Sequence, residues 1–336
     1  MRNRLQFVLQ AAALIIFSRA SCSQVPNMFT EPNSTLLFGS PDNEVALAVG
    51  KQKFDVHNPP GFIGQGTSPL PALSPKADKV AWGVALPDVT GDENCRNSLV
   101  VCPMADTPKR KSVMALYSIR NKSWKLYGDF CPGGVGSATF SADGTKVAFS
   151  AKSRSGNPDC DSNPDKLQIL DLATGKLTPI TYSDEVMHNA RLSWSPDGKY
   201  LVGQLGAWVE LNKRIVVIDV LSGIGRIIAE GTNPSWSPKG DWIAYTDSSG
   251  EKCVLIHPDG TGSKMVRNLS KGSFSYKIFF YGVVWSPDGN KLLFNEAYGA
   301  LESSLDVAML DLATGKVTIR SKHGPAVFGW SHNPSE

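Results

Sequence analysis

Hydrophobic and polar positions alternate in short runs along this chain, and the runs are broken by turn residues at regular intervals. One pattern recurs: Pro71-Ala-Leu-Ser-Pro-Lys-Ala-Asp-Lys-Val-Ala-Trp82, then Ala138-Thr-Phe-Ser-Ala-Asp-Gly-Thr-Lys-Val-Ala-Phe149. It returns as Leu192-Ser-Trp-Ser-Pro-Asp-Gly-Lys-Tyr-Leu-Val-Gly203, as Pro234-Ser-Trp-Ser-Pro-Lys-Gly-Asp-Trp-Ile-Ala-Tyr245 and as Val283-Val-Trp-Ser-Pro-Asp-Gly-Asn-Lys-Leu-Leu-Phe294. A truncated copy, Val327-Phe-Gly-Trp-Ser331, stands near the end. The anchoring serines are Ser74, Ser141, Ser195, Ser237, Ser286 and Ser331, separated by 67, 54, 42, 49 and 45 residues. Ser-Pro-Asp-Gly fits a tight turn: Ser accepts at the first position, Pro pre-sets φ at the second and Gly closes it. Alternating runs on both sides predict strands, so each copy is a hairpin.

A second strand, turn and strand follows each hairpin. It is clearest in Leu167-Gln-Ile-Leu-Asp-Leu-Ala-Thr-Gly-Lys-Leu-Thr178 and Val307-Ala-Met-Leu-Asp-Leu-Ala-Thr-Gly-Lys-Val-Thr318, and looser in Ile215–Gly223, Val254–Gly260 and Ala115–Trp124. Two hairpins per repeat of about 40–50 residues predict an all-β β-propeller built from four-stranded antiparallel blades. Large residues precede the serines (Leu73, Phe140, Trp194, Trp236, Trp285 and Trp330), with mostly smaller ones a position earlier. Such a strand has one bulky and one slim face and suits stacking of sheets, so these tryptophans read as packing residues.

The Trp-Ser-Pro-Asp-Gly-Lys type of repeat resembles the TolB-like, WD40-like (PD40) repeat family, from about Pro71 to Ser331. The resemblance implies a six-bladed propeller. The stretch before Pro71 is too short for the additional N-terminal domain of TolB-like proteins, so a stand-alone propeller is expected, and the family's partner role does not transfer with the fold. Because the last copy stops after its first strand, its sheet must be completed from elsewhere. Thr35–Gly39, Glu44–Val49 and Lys51–Val56 are expected to complete it, with Val327–Ser331 innermost and residues 57–70 as a linker. Five blades with an N-terminal extension are the other arrangement the pattern allows.

Composition and charge refine this picture. The chain has 336 residues, with 41% hydrophobic and 19% charged positions, 31 Gly and 22 Pro. That is ample apolar content for a core and places the Gly and Pro in repeated turns. Residues 1–23 carry Arg2, Arg4 and Arg19, a mostly apolar run from Leu5 to Phe17 and small residues from Ala20 to Ser23. This is the layout of a secretory signal peptide, and Cys22 adds the alternative of a lipid-anchored cysteine. Without these residues the formal +3 charge becomes zero, with 31 basic and 31 acidic residues over 24–336. The balance gives no support for a nucleic-acid binder, and no later segment is apolar and long enough to span a bilayer as a helix. A periplasmic or secreted monomer of one domain, 24–336, is expected.

In an oxidising compartment disulfides persist. Loop placement puts Cys95, Cys102, Cys131 and Cys160 on one face, and the pairs Cys95–Cys102 and Cys131–Cys160 are expected among the three connectivities that four cysteines allow. Cys253 reads as a small buried residue. No zinc spacing, serine-hydrolase elbow or nucleotide-binding glycine loop occurs, and no cofactor is expected. Asp159, Asp161, Asn163 and Asp165 share the every-second-position spacing of half a calcium loop, without its central Gly or distal Glu. A solvated turn is the competing reading. The expected role is a non-catalytic scaffold for a protein or cell-envelope partner, with loop residues His188, Arg191, Trp208, Asn233, Tyr281 and His323 as contacts near the tunnel mouth. The rival class is a metal-dependent hydrolase or lyase with ligands on loops of the same face, because a fold does not determine its chemistry.

Overall fold

The structure is a computed structural model. It describes residues 34–39, 45–49, 52–56, 70–87, 110–154, 160, 165–180, 182, 191–206, 213–268, 279–298, 304–322 and 326–332. The described residues form antiparallel strands and no helix, and therefore no helix long and apolar enough to cross a membrane.

The strands fall into sets that follow the repeat. β1 (Ser34–Gly39), β2 (Val45–Val49) and β3 (Gln52–Val56) come first. Then come β4 (Ala72–Leu73), β5 (Lys79–Pro87), β6 (Arg110–Ser118) and β7 (Ser123–Val135), followed by β8 (Thr139–Phe140), β9 (Lys146–Ser153), β10 (Asp165–Asp171) and β11 (Leu177–Ile180). β12 (Leu192–Trp194), β13 (Tyr200–Leu205), β14 (Arg214–Asp219) and β15 (Gly225–Trp236) precede β16 (Ile243–Asp247), β17 (Lys252–Ile256) and β18 (Lys264–Asn268). The last are β19 (Phe279–Trp285), β20 (Lys291–Tyr298), β21 (Ser304–Asp311), β22 (Val317–Ser321) and β23 (Val327–His332).

Within each set the strands pair in chain order as a meander. The exception lies at the termini, where β23 pairs antiparallel with β1 and the order is β23–β1–β2–β3. The last strand of the chain thus completes the sheet begun by the first three. β7 and β15 hold Cys131 and Asn233 within strands, where the sequence reading placed both in loops. Each is one long strand, running from the outer position of one set into the start of the next and bending at a bulge, between Phe130 and Val135 in β7 and between Thr232 and Ser235 in β15. Bulges admit the Gly and Pro of these segments inside strands.

The core lies between sets, and the period of two explains it. Val80, Trp82 and Val84 face Leu37, Leu47 and Val56, whereas the intervening Ala81 joins Phe140, Val147 and Phe149 on the other side. Leu292 and Phe294 pack with Cys253 and Leu255, while Leu293 packs with Leu36, Phe38 and Val327. Successive residues of a strand point to opposite faces, so every sheet is covered on both sides, and the sequence of clusters leads back to its beginning. The first strands show the same order: β4 touches β8, β8 touches β12, β12 touches β15, β15 touches β19, β19 touches β23 and β23 touches β4. Indoles tie neighbours together, with Trp194 Nε1 donating to Thr139 O at 3.3 Å and Trp285 Nε1 to Ser235 O at 3.0 Å.

Candidate functional site

The two ends of these first strands are built differently. At the turn end all six anchoring serines are buried; those from Ser74 to Ser286 organise their own turns, and Ser331 donates to Pro75 O of the first copy. Ser195 Oγ accepts the N–H of Tyr200 at 2.9 Å and donates to Asp197 Oδ1 at 2.6 Å. Ser141 repeats this with Lys146 and Asp143, at 3.0 and 2.6 Å. The Gly N–H closes the turn on the Ser carbonyl, at 2.9 Å for Gly144 and 3.0 Å for Gly198. These glycines have φ near +70°, where an L side chain is disfavoured. In the first copy Ala77 occupies the same place at φ +50°. The hydroxyl of Ser141 holds the Asp143 carboxyl below the usual carboxylate range, and that of Ser195 does the same for Asp197. The second turns are similar: the Thr174 N–H, at 2.8 Å from Asp171 Oδ1, lowers the Asp171 pKa.

At the opposite end the positions four residues before the serines are Leu70, Ser137, Arg191, Asn233, Gly282 and Val327. Neighbours in this row meet: the Leu70 N–H donates to Ser137 Oγ at 3.3 Å. Arg191 is the one charged residue among them. Its guanidinium fills the space beside Gly282, where an added Cβ would lie 1.8 Å from Nη1. Because β15 stands between β12 and β19 in the cycle, this side chain reaches across the inside of the ring of first strands. Protein surrounds it closely enough for burial to pull its pKa down to about 10, yet part of its surface stays accessible. The group is closely packed but not wholly covered. Arg191 remains a cation at neutral pH, and its buried Nε has no hydrogen-bond partner among the described residues.

The remaining expected contacts are distributed unevenly. Asn233, read from the sequence as a loop residue, lies within β15 at the bulge, with φ +54° and its N–H 3.3 Å from Gln204 Oε1. Tyr281, also read as a loop residue, belongs to β19. The bulge between Phe280 and Val283 keeps that strand continuous through the rim. His188, Trp208 and His323 lie outside the described residues. So do Asp159, Asp161 and Asn163 of the half calcium loop, while Asp165 opens β10 opposite Lys152.

Cys131 and Cys160 form a disulfide with Cα atoms 5.7 Å apart, and Cys95 and Cys102 lie outside the described residues. Beside this bridge Gly133, Gly134, Ser150, Lys152 and Asp165 line a small polar cleft of about 100 Å³. Cys253 is fully buried, and burial pushes its thiol pKa up. Two features escaped sequence reasoning. Glu296, fully buried, takes a two-pronged ion pair from Arg267, Nε–Oε1 3.0 Å and Nη2–Oε2 3.2 Å. Asn295 clamps the backbone of Val327 through both amide atoms at 2.8 Å. A polar pair in an otherwise apolar strand, Asn295-Glu296, was the only signal of either.

No protein-family model matches the chain, and no curated protein matches it. Solved structures do. The chain is similar to TolB from Acinetobacter baumannii, with a TM-score of 0.57 and 14% identity over 88% of this chain and 66% of that one. It therefore spans just under two thirds of that TolB chain. It is also similar to a chain of a nidogen/laminin complex, with a TM-score of 0.58 and 11% identity over 89% of this chain and 97% of that one. At these identities the likeness concerns the fold alone, and that fold is the β-propeller.

Proposed function

We propose that this protein is an exported, non-catalytic binding scaffold. In this reading it is a six-bladed, stand-alone propeller spanning residues 24–336, and it engages a protein or cell-envelope partner through the end opposite its Ser-Pro-Asp-Gly turns. The observation that carries the reading is the contrast between the two ends. Repeated, self-satisfied turns occupy one end, and a non-repeating rim holding Arg191, Asn233 and Gly282 occupies the other. A rigid scaffold that varies its side chains at one rim is a common way to build a binding surface. The closed order of contacts among first strands supports the blade count, with β23 and β1–β3 as the closing blade. The Cys131–Cys160 bridge supports an oxidising compartment. One of the similar folds was solved in a complex of nidogen with laminin, which supports partner binding as a use of such a propeller.

The test is capture by the purified protein from envelope extracts, followed by reconstitution with the captured partner after purification. A metal assay and thermal shift with Ca²⁺ and Mn²⁺ run in parallel. One partner that rebinds stoichiometrically to metal-free protein is the expected result. A stoichiometric bound ion together with turnover of a substrate would replace the scaffold by the hydrolase or lyase reading.

A further inference from the structure

We infer that Arg191 is the seat of a carboxylate-binding site inside the ring, at the end opposite the repeated turns. Three independent features converge on it. The guanidinium stands in a row of positions that otherwise presents Leu70, Ser137, Asn233, Gly282 and Val327, so no second charge of either sign shares that row. Its Nε is buried and has no hydrogen-bond partner among the described residues. Gly282 lacks the Cβ that would displace the guanidinium, and its φ of +136° is one that residues with side chains rarely adopt. A cation surrounded by protein and left without an acceptor is costly, and chains keep such an arrangement where a ligand supplies the acceptor.

The chemistry of the ligand follows from the count of charges. A guanidinium presents a planar fork that matches a carboxylate through two parallel N–H···O bonds. One cation neutralises one negative charge, which fits a carboxylate better than a phosphate carrying nearly two. The carboxylate has two sources, a small organic acid that enters the ring or an Asp, Glu or C-terminal group on a peptide. The inference concerns a ligand group and stands whether or not the partner is a protein.

The experiment compares the full-length protein with R191Q, R191K and G282A by calorimetric titration and thermal melting. The probes are acetate, an acetylated and amidated Gly-Gly-Asp-Gly peptide, its Asn counterpart and inorganic phosphate. Anions stabilise proteins generally, so the readout is the difference between wild type and variant. The expected result is that acetate or the Asp peptide binds wild type at least tenfold more tightly than R191Q, with R191K intermediate and the Asn peptide inert. Without ligand, R191Q should melt at or above the wild-type temperature, because a closely packed cation with no acceptor has been removed. G282A, which drives a Cβ into the guanidinium, should weaken binding as R191Q does. Arg191-dependent binding of acetate assigns the site to small acids, and dependence seen only with the Asp peptide assigns it to a peptide. Equal response of wild type and R191Q to every probe would overturn the inference. So would Arg191-dependent binding of phosphate alone, or a ligand-free R191Q that melts well below wild type without any Arg191-dependent binding.

Discussion

The turn end and the crossover end of the ring use polar groups in opposite ways. At the turn end the anchoring serines of the first five copies bond within five residues, as in Ser195 with Asp197 and Tyr200 and in Ser141 with Asp143 and Lys146, whereas the last, Ser331, donates instead to Pro75 O of the first copy. At the crossover end the bonds are long-range and occur once. Arg267 reaches Glu296 over 29 positions, Asn295 reaches Val327 over 32, and Cys131 joins Cys160 over 29. Local bonds make each hairpin cheap to form, because little loop entropy is lost in closing them. Long-range bonds lock one set of strands to the next. Arg191 fits neither pattern, being placed by long-range packing and yet left without a described acceptor. The contrast teaches that the repeat builds the ring, and that departures from the repeat mark where the ring does something else.

Four perturbations test that contrast, beginning with the most damaging. R267A removes the guanidinium from a carboxylate that has no exposed surface, and loss of a partner from a buried ion pair costs about 3–5 kcal/mol. Chemical denaturation should show this as a lower midpoint of a transition shared by all probes, since adjacent sets are unlinked together. S195A should cost less, about 1–3 kcal/mol, because it leaves the Tyr200 N–H without its buried acceptor. Hydrogen exchange should place the loosening in the hairpin of residues 192–205, and matching variants at Ser141 and Ser286 should add. A drop confined to one hairpin after R267A, or a global one after S195A, would break the comparison.

Acid offers a third test. The turn carboxylates, among them Asp143, Asp197 and Asp171, have folded pKa values below the unfolded value. Their contribution is therefore full above the unfolded pKa of about 3.9 and is lost as pH falls through the lowered folded pKa. Melting temperature should fall below about pH 4, and D143N and D197N should each flatten that fall while lowering stability at neutral pH. The smallest effect is a gain. A77G replaces the one side chain held at φ +50° in a turn that elsewhere uses Gly, and should stabilise by about 1 kcal/mol. A loss on A77G would show that the first copy's turn is not equivalent to the others.

The legibility of the molecule in its sequence follows the same division. The Ser-Pro-Asp-Gly turns were readable because a tight turn is decided by four adjacent residues, and Ser74 to Ser286 carry that code in one window. Pairing of β1 with β23 was readable from the truncated last copy and from the three short alternating runs that precede the first. Cys131 and Asn233 were read as loop residues, whereas bulges let β7 and β15 carry them, with the adjoining Pro132-Gly-Gly134 and Pro234, inside strands. The Arg267–Glu296 pair left almost no trace, since an ion pair across 29 residues imposes no local pattern. Arg191 was read only as one of several loop residues near the tunnel mouth. That Gly282 opens the space for it depends on two strands whose proximity no local window reveals.

The most direct test is a map of where ligand acts. Backbone amide NMR of the intact protein, titrated with acetate and with the Asp peptide, reports each end separately. The account predicts saturable shifts grouped at residues 191–193, 231–235 and 280–283, absent in R191Q, with the turns around Ser141, Ser195 and Ser286 unmoved. Saturable shifts centred on those turns, with the Arg191 rim silent, would contradict it.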